Sequence, residues 1–191
     1  CTRVPEEIRG IPAQTESRVD RIVRRPGAIV KPESIILELS NPSLQRDALD
    51  AEYQLKGAEA DYENLKVQVR SELMNQKAQA ASVRSDYEQA KLQHDVDDKL
   101  HDQGIGADVT AKLSKVKAEQ LGIRVQLEDE RTAISSDSAA ARLAAQRAHV
   151  DQQRALYQLR RTELDALHVR SGIDGVLQLL PVDVGQHVTP G

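Results

Sequence analysis

His94, Asp98 and His101 stand at i, i+4 and i+7 of a charged stretch. On a helix they could turn two imidazoles and a carboxylate toward one divalent ion. The plainer reading is a polar helix end, because His94 also continues an apolar series described below, and no metal site is expected. Met74 is the only methionine, which leaves no thioether cluster for soft copper or silver. No nucleophile, base and orienting residue come together, and no glycine loop of the phosphate-cradling kind appears. The expectation is a non-enzymatic protein without a cofactor. Asp95, Asp97, Asp98, Asp102 and Asp108 crowd one short segment in which Lys99 is the only basic residue. That cluster reads either as a solvated turn with Asp108 capping the next helix, or as an acidic face for a basic partner. Cys1, the single cysteine, cannot close an internal disulfide and says nothing about redox compartment. Its acylation as the first residue of a lipoprotein is weighed against an ordinary chain start, since strand-like sequence follows closely.

The elements that hold these residues follow from composition. Among 191 residues there is no Phe and no Trp and there are four Tyr, so the aromatic rings that fill compact cores are nearly absent. With 29% charged residues and an apolar set rich in Ala and Leu, the chain suits long, partly exposed helices with a narrow seam. A net charge of −4 gives no general attraction for phosphate backbones, and nucleic acid is not expected as a partner. No stretch approaches the roughly 20 apolar residues that span a bilayer.

Proline and glycine set the boundaries. Pro5, Pro12, Pro26, Pro32 and Pro42 lie early, Pro181 and Pro190 lie late, and none lies between, so the middle can be continuous helix. Gly104 and Gly106 fall midway, where a reversal would give two equal arms. The first arm begins at Asn41-Pro42, with Ser40 or Asn41 as cap. Its seam runs through Ala48, Ala51, Leu55, Ala58, Tyr62, Leu65, Val69, Leu73, Gln76, Ala80, Val83, Tyr87 and Ala90. The alternating spacings of three and four are a heptad pattern, and the extra four across Leu65, Val69 and Leu73 is a stutter. For the second arm, the large residues Val109, Leu113, Val116, Gln120, Ile123, Leu127 and Ile134 predict the buried stripe near the reversal. Leu143, Val150, Tyr157 and Leu164 continue it at seven-residue intervals. Each arm of roughly 60 residues would run about 90 Å. A reversal near Ile105 predicts level positions whose numbers sum to about 210, placing Tyr87 near Ile123 and Tyr62 near Ala148.

The flanks repeat each other. Gly27-Ala28-Ile29-Val30-Lys31-Pro32 and Gly185-Gln186-His187-Val188-Thr189-Pro190 share the pattern GxxVxP, each after a short apolar strand. Val19, Ile22 and Val23 precede the first, and Ile35, Leu37 and Leu39 follow it in alternation with Ile36 and Glu38. Val176, Leu177, Leu179, Leu180, Val182 and Val184 precede the second. Each glycine is expected to take a turn conformation that side chains disfavour, and each valine to return to a core shared by both halves.

This arrangement resembles the membrane fusion protein family, the periplasmic adaptor or HlyD-like proteins, in which a coiled-coil hairpin splits a biotinyl/lipoyl-like domain. The resemblance covers essentially the whole chain and is carried by SRVDRIVRRPGAIVKPESIILELSNP at Ser17 to Pro42 and LHVRSGIDGVLQLLPVDVGQHVTPG at Leu167 to Gly191. It implies an elongated α+β fold: a long antiparallel two-helix coiled-coil hairpin inserted between the halves of a small β-rich lipoyl-like module. The expected divisions are a leading strand or linker at 1–10, lipoyl-like half 1 at 11–40, the hairpin at 41–167 with its tip near 100–109, and an incomplete half 2 at 168–191.

The resemblance further implies a periplasmic subunit, anchored to the inner membrane by a segment outside this sequence, that links an inner-membrane ABC or RND transporter to an outer-membrane TolC-like duct. Its protomers would form a homo-oligomeric ring, a hexamer by family likeness. The alternative reading is a structural coiled-coil scaffold. The resemblance places duct docking at the tip, here Leu100, Gly104, Ile105, Gly106 and Asp108, and the lipoyl turns at Gly27, Val30, Pro32, Gly185, Val188 and Pro190. Leu100 and Gly104 fit the family's tip leucine and glycine, whereas Val96 stands at its arginine position and Ala107 at its serine position. A shifted reading through Lys99, Gln103 and Thr110 keeps a cation and a hydroxyl but loses the leucine. The lysine that lipoyl and biotinyl carriers modify has no counterpart motif, and Lys31 reads as a solvated charge.

Overall fold

The structure, a computed structural model, describes residues 10–190. The expected linker at 1–10, apart from Gly10, and the reading of Cys1 lie outside the described residues. Two compact units form, one from the two ends of the chain and one from Glu59–His149.

In chain order the elements are β1 (Ser17–Ile22), β2 (Ile29–Val30), β3 (Ile35–Ser40), α1 (Pro42–Asp102), α2 (Asp108–Asp165), β4 (His168–Arg170), β5 (Gly175–Val176) and β6 (His187–Val188). The fold is α+β, with a two-helix antiparallel hairpin between the two parts of a small antiparallel β module.

In the end unit, β4-β3-β1-β6 make one sheet and β2-β5 a second. The chain halves are interleaved in both: β6 pairs with β1, Ser17 opposite Val188, and β5 pairs with β2, Ile29 opposite Val176. The hydrogen bonds repeat with an offset of 158 residues. Gly27 N–H donates to Leu177 C=O and Leu177 N–H to Ala28 C=O, while Gly185 N–H donates to Val19 C=O and Val19 N–H to Gln186 C=O. Both glycines close a turn in which the next residue's N–H reaches back three positions, Ala28 to Arg25 and Gln186 to Asp183. Their φ angles of 94° and 88° are those a type II turn requires at its third residue. Neither half makes these sheets alone.

The apolar core here is small. Val19, Leu39, Leu44 and Leu167 are buried together, with Ile22, Leu37, Leu164, Val169, Val182 and Val188 packed around them. At about 1.5–3 kcal/mol per fully buried aliphatic side chain, losing one would remove a large share of what holds the strands to the helix ends. Asn41 caps α1, its Oδ1 accepting from Leu44 N–H at 3.0 Å while its Nδ2 donates to Glu16 C=O at 2.8 Å.

Two strand expectations need correction. Ile36, assigned to the outward phase of β3, is among the most buried side chains, while Leu37 and Leu39 keep their expected place in the core. The cause is a register shift between Ile35 and Leu37 against β4 that inserts one unpaired residue and reverses the phase. The stretch from Leu177 to Val184 forms no strand, and Leu179 and Val184 are exposed. Pro181 within it cannot donate to a ladder.

In the Glu59–His149 unit, the α1 seam is the expected one. Val69, Val83 and Ala90 are buried, and Tyr62, Leu65, Leu73, Gln76, Ala80 and Tyr87 are half-buried, with the stutter at Leu65, Val69 and Leu73. The α2 seam near the reversal is not. Val109, Leu113, Val116, Ile123, Leu127 and Ile134 are exposed, between 48% and 68%, and the inward line is Ala111, Ser114, Ala118, Leu121, Val125, Glu128, Thr132, Ser135 and Ala139. Leu143, expected on the seam, is half-buried in line with that series.

Helical continuity explains the reversal of faces. Counting back from Leu143 in threes and fours reaches Ala139, Ser135 and Thr132, whereas Ile134 lies nine residues away and out of phase. One unbroken helix presents one phase. The choice is reinforced at Tyr87: a Cβ on Gly122 would stand 3.3 Å from its ring, so a large aromatic seam side chain of α1 sits against the smallest residue of α2. Those positions sum to 209, matching the expected register. Gln76 also donates to Glu128 across the pair at 3.0 Å, and exposed ion pairs join Arg84 to Asp129 at 2.8 Å and Arg142 to Glu72 at 2.9 Å.

Candidate docking tip

The reversal is built by backbone chemistry at the end of α1. Gly104 N–H donates to His101 C=O at 2.8 Å, and the N–H groups of Ile105 and Gly106 both reach Leu100 C=O at 3.0 Å. The last turn's carbonyls are thereby satisfied while the chain leaves the helix. Gly104 takes a φ of 71°, the left-handed conformation expected of a residue just past a helix end. Gly106 is needed for space: a Cβ there would lie 3.1 Å from His101 N and 3.2 Å from Leu100 C.

Ile105 projects from this turn with 74% of its surface exposed, and Leu100 is less open at 39%. Asp108 is the first residue of α2, but the cap is Ala107, whose carbonyl receives Thr110 and Ala111 N–H. The Asp108 carboxylate instead accepts from Lys112 and faces His101 Nε2 at 4.0 Å. The Lys112 hydrogen bond holds its carboxyl below the usual range, with Lys112 and His101 charge adding to the effect. Its place in the first helical turn is also favoured by the helix dipole. The tip therefore offers bare aliphatic side chains, Ile105 on the turn itself and Val109 just after it, beside a carboxylate already engaged.

Of the residues weighed for metal binding, His94 is half-buried on the seam with Nδ1 lacking a hydrogen-bond partner, and His101 turns toward Asp108. No three metal-ligating side chains converge among the described residues. The lipoyl-turn residues fall in two different sheets of the end unit. Val30, buried, pairs with Gly175, and Val188, half-buried, pairs with Ser17, while Pro32 C=O receives Gly172 N–H and Pro190 lies just beyond β6. What residue-by-residue reading missed is the exposed face of α2, whose signal lay in the phase break between Ile134 and Leu143.

No protein-family model matches the sequence, and no curated protein matches it. Solved structures do. The periplasmic adaptor protein EmrA aligns over 97% of this chain and 70% of its own length, at 12% identity and a TM-score of 0.55. The soluble domain of LipC, a membrane fusion protein of a type I secretion system, aligns over 95% of both chains at 15% identity and a TM-score of 0.52. MacA from Actinobacillus actinomycetemcomitans aligns over 94% of this chain and 44% of its own, at 17% identity and a TM-score of 0.50. No helix among the described residues is long and apolar enough to cross a membrane. By its interleaved β halves and the hairpin between them, the chain has the fold of the periplasmic adaptor and membrane fusion proteins.

Proposed function

We propose that this chain is the hairpin and lipoyl-like part of a periplasmic adaptor subunit in a tripartite efflux or secretion system. It links an inner-membrane transporter, of the ABC or RND class, to an outer-membrane TolC-like duct, and is held at the inner membrane by a segment outside this sequence. The subunit is non-enzymatic, uses no cofactor, and assembles into a homo-oligomeric ring, a hexamer by family likeness. The observation that carries this reading is the exchange of equivalent hydrogen bonds between Gly27 and Leu177 and between Gly185 and Val19, which requires the intervening hairpin to return to its start. A coiled-coil scaffold has no need of that device.

In this reading the tip is the duct-docking element. Ile105 supplies an apolar contact, Leu100 a flanking one, Gly104 and Gly106 the compact turn, and Asp108 a fixed negative charge that favours a basic rim. The test is an in-cell experiment on the full-length protein with a photo-crosslinking residue at Ile105, alongside an export assay of Ile105→Asp. A crosslink to an outer-membrane channel, and export lost at unchanged expression and helicity, are expected. Export that survives Ile105→Asp, with no channel captured, would sink the docking role.

A further inference from the structure

Between Tyr87 and the reversal, little holds the two helices together. On the base side of Tyr87 the α1 seam carries Val69, Leu73 and Val83, and side chains tie the pair from Gln76 to Glu128, Arg84 to Asp129 and Arg142 to Glu72. Toward the reversal the inward positions of α1 are Ala90, His94 and Asp97, and those of α2 are Ala111, Ser114 and Ala118. None of the six is an aliphatic side chain larger than alanine. Leu92, Val96, Val109, Leu113 and Val116 stand in the same stretch but are exposed, so they do not fill the seam as packed knobs would.

The polar groups of this stretch add no bond between the helices inside the seam. His94 Nδ1 is shielded from solvent without a hydrogen-bond partner, so the imidazole brings a desolvated atom and no compensating bond. Ser114 Oγ donates to Ala111 C=O at 3.1 Å, and Asp97 accepts from Gln93 Nε2 at 2.8 Å, each within its own helix. Among the described residues, the cross-helix ion pair of this stretch is His101 Nε2 to Asp108 Oδ1, at 4.0 Å and between exposed side chains.

The boundary falls at one layer. The Tyr87 ring lies against Gly122, and Leu121 beside it is half-buried, so this is the last level toward the reversal at which large side chains enter the seam. The arms beyond it, 88–102 and 108–120, are of a length at which a helix in water depends on its packed face. Here that face is the weakest of the hairpin.

We propose that residues 88–120 are a separately opening unit, which unfolds and refolds as one piece while the hairpin on the base side of Tyr87 stays paired, and that a partner engaging the tip completes its ordering. Cooperative units end where buried contacts thin out, and the Tyr87 layer is such a place. His94 sets the balance, because it occupies a seam position that a leucine of similar size would fill with apolar contact. The opening is a property of this chain by itself. Its role in docking rests on the reading given above.

Native-state hydrogen exchange on the full-length protein tests it. Amides in 90–102 and 112–120 should share one level of protection, with a step at Tyr87 and Gly122 to values roughly a hundredfold higher on the base side. Protection that climbs gradually from the reversal would be ordinary end fraying, and protection equal on both sides of Tyr87 would mean no separate unit; either overturns the proposal. His94→Leu should raise protection roughly tenfold along both arms, as far as Ala118, and leave the base side unchanged. A rise confined to the turns beside position 94 would show that the arms do not open together. In cells the same variant enters docking already ordered, so the photo-crosslink from Ile105 to the channel should increase. An unchanged crosslink beside raised protection would overturn the part in docking. No crosslink in either form would remove the docking reading itself, while the exchange step would still decide whether the unit exists.

Discussion

Replacing Leu113 and Ala118 one at a time separates the two possible faces of α2, because the larger side chain is on the outside. Leu113 is 66% exposed and Ala118 is 7% exposed. Full burial of a leucine contributes about 1.5–3 kcal/mol. The third of Leu113 that is covered is therefore worth about 0.5–1 kcal/mol, and Leu113→Ala should cost no more than that, since Ala is the better helix former. Ala118→Leu forces three additional carbon atoms into a seam of small residues, which costs about 1–3 kcal/mol through displaced rotamers and widened helix spacing. The assay is urea unfolding followed by circular dichroism at 222 nm, at concentrations where the chain is monomeric, so that self-association does not contribute. The order of the two midpoints decides the matter. If Leu113→Ala cost about 2–5 kcal/mol, as a buried leucine would, and Ala118→Leu were neutral, the seam argued from helical continuity would be on the wrong face.

Removing the α1 cap by Asn41→Ala should cost about 1 kcal/mol, seen in the same unfolding experiment, because the Leu44 N–H and Glu16 C=O both lose their side-chain partner. Gly27→Ala and Gly185→Ala each place a side chain at positive φ, at about 1–2 kcal/mol apiece. Because the halves share hydrogen bonds, hydrogen exchange should rise at Val19 and at Leu177 in both variants; a loss confined to the mutated half would contradict the shared module. The Asp108 carboxyl is lowered in the folded chain, so its contribution is present above the unfolded carboxylate value of about 3.9 and is lost as pH falls through its folded value. A carboxyl titration followed by NMR should show a midpoint below that of an ordinary aspartate, rising on Lys112→Met; an unchanged midpoint would show that the hydrogen bond is not the cause. Gly122→Leu should unseat the Tyr87 ring, read as a loss of interhelical contacts from Tyr87 in NMR spectra with the helical signal retained.

Much of this protein is local and therefore legible in one dimension. Proline is absent from 43–180, so nothing interrupts either helix, and Gly104 marks the reversal because a left-handed residue past a helix end favours glycine. Asn41 before Pro42 announces the start of α1, and the alternating spacings from Ala48 to Ala90, with one stutter, mark its seam along a helix that is unbroken from Pro42 to Asp102. The paired GxxVxP segments declare two related turns, and glycine's freedom at positive φ explains both.

Tertiary structure decided what depends on phase and partner. Size alone favoured the stripe from Val109 to Ile134, but a helix cannot rotate one half against the other, and Leu143, Val150 and Tyr157 had already committed α2 to the line ending at Ala111. Ile36 turned inward because an unpaired residue against β4 reversed the alternation, and such a bulge leaves no mark in composition. The exchange of strands between the halves likewise joins residues far apart in the chain, Ser17 to Val188 and Ile29 to Val176, a pairing that the repeated motif invites and only the returning hairpin makes possible.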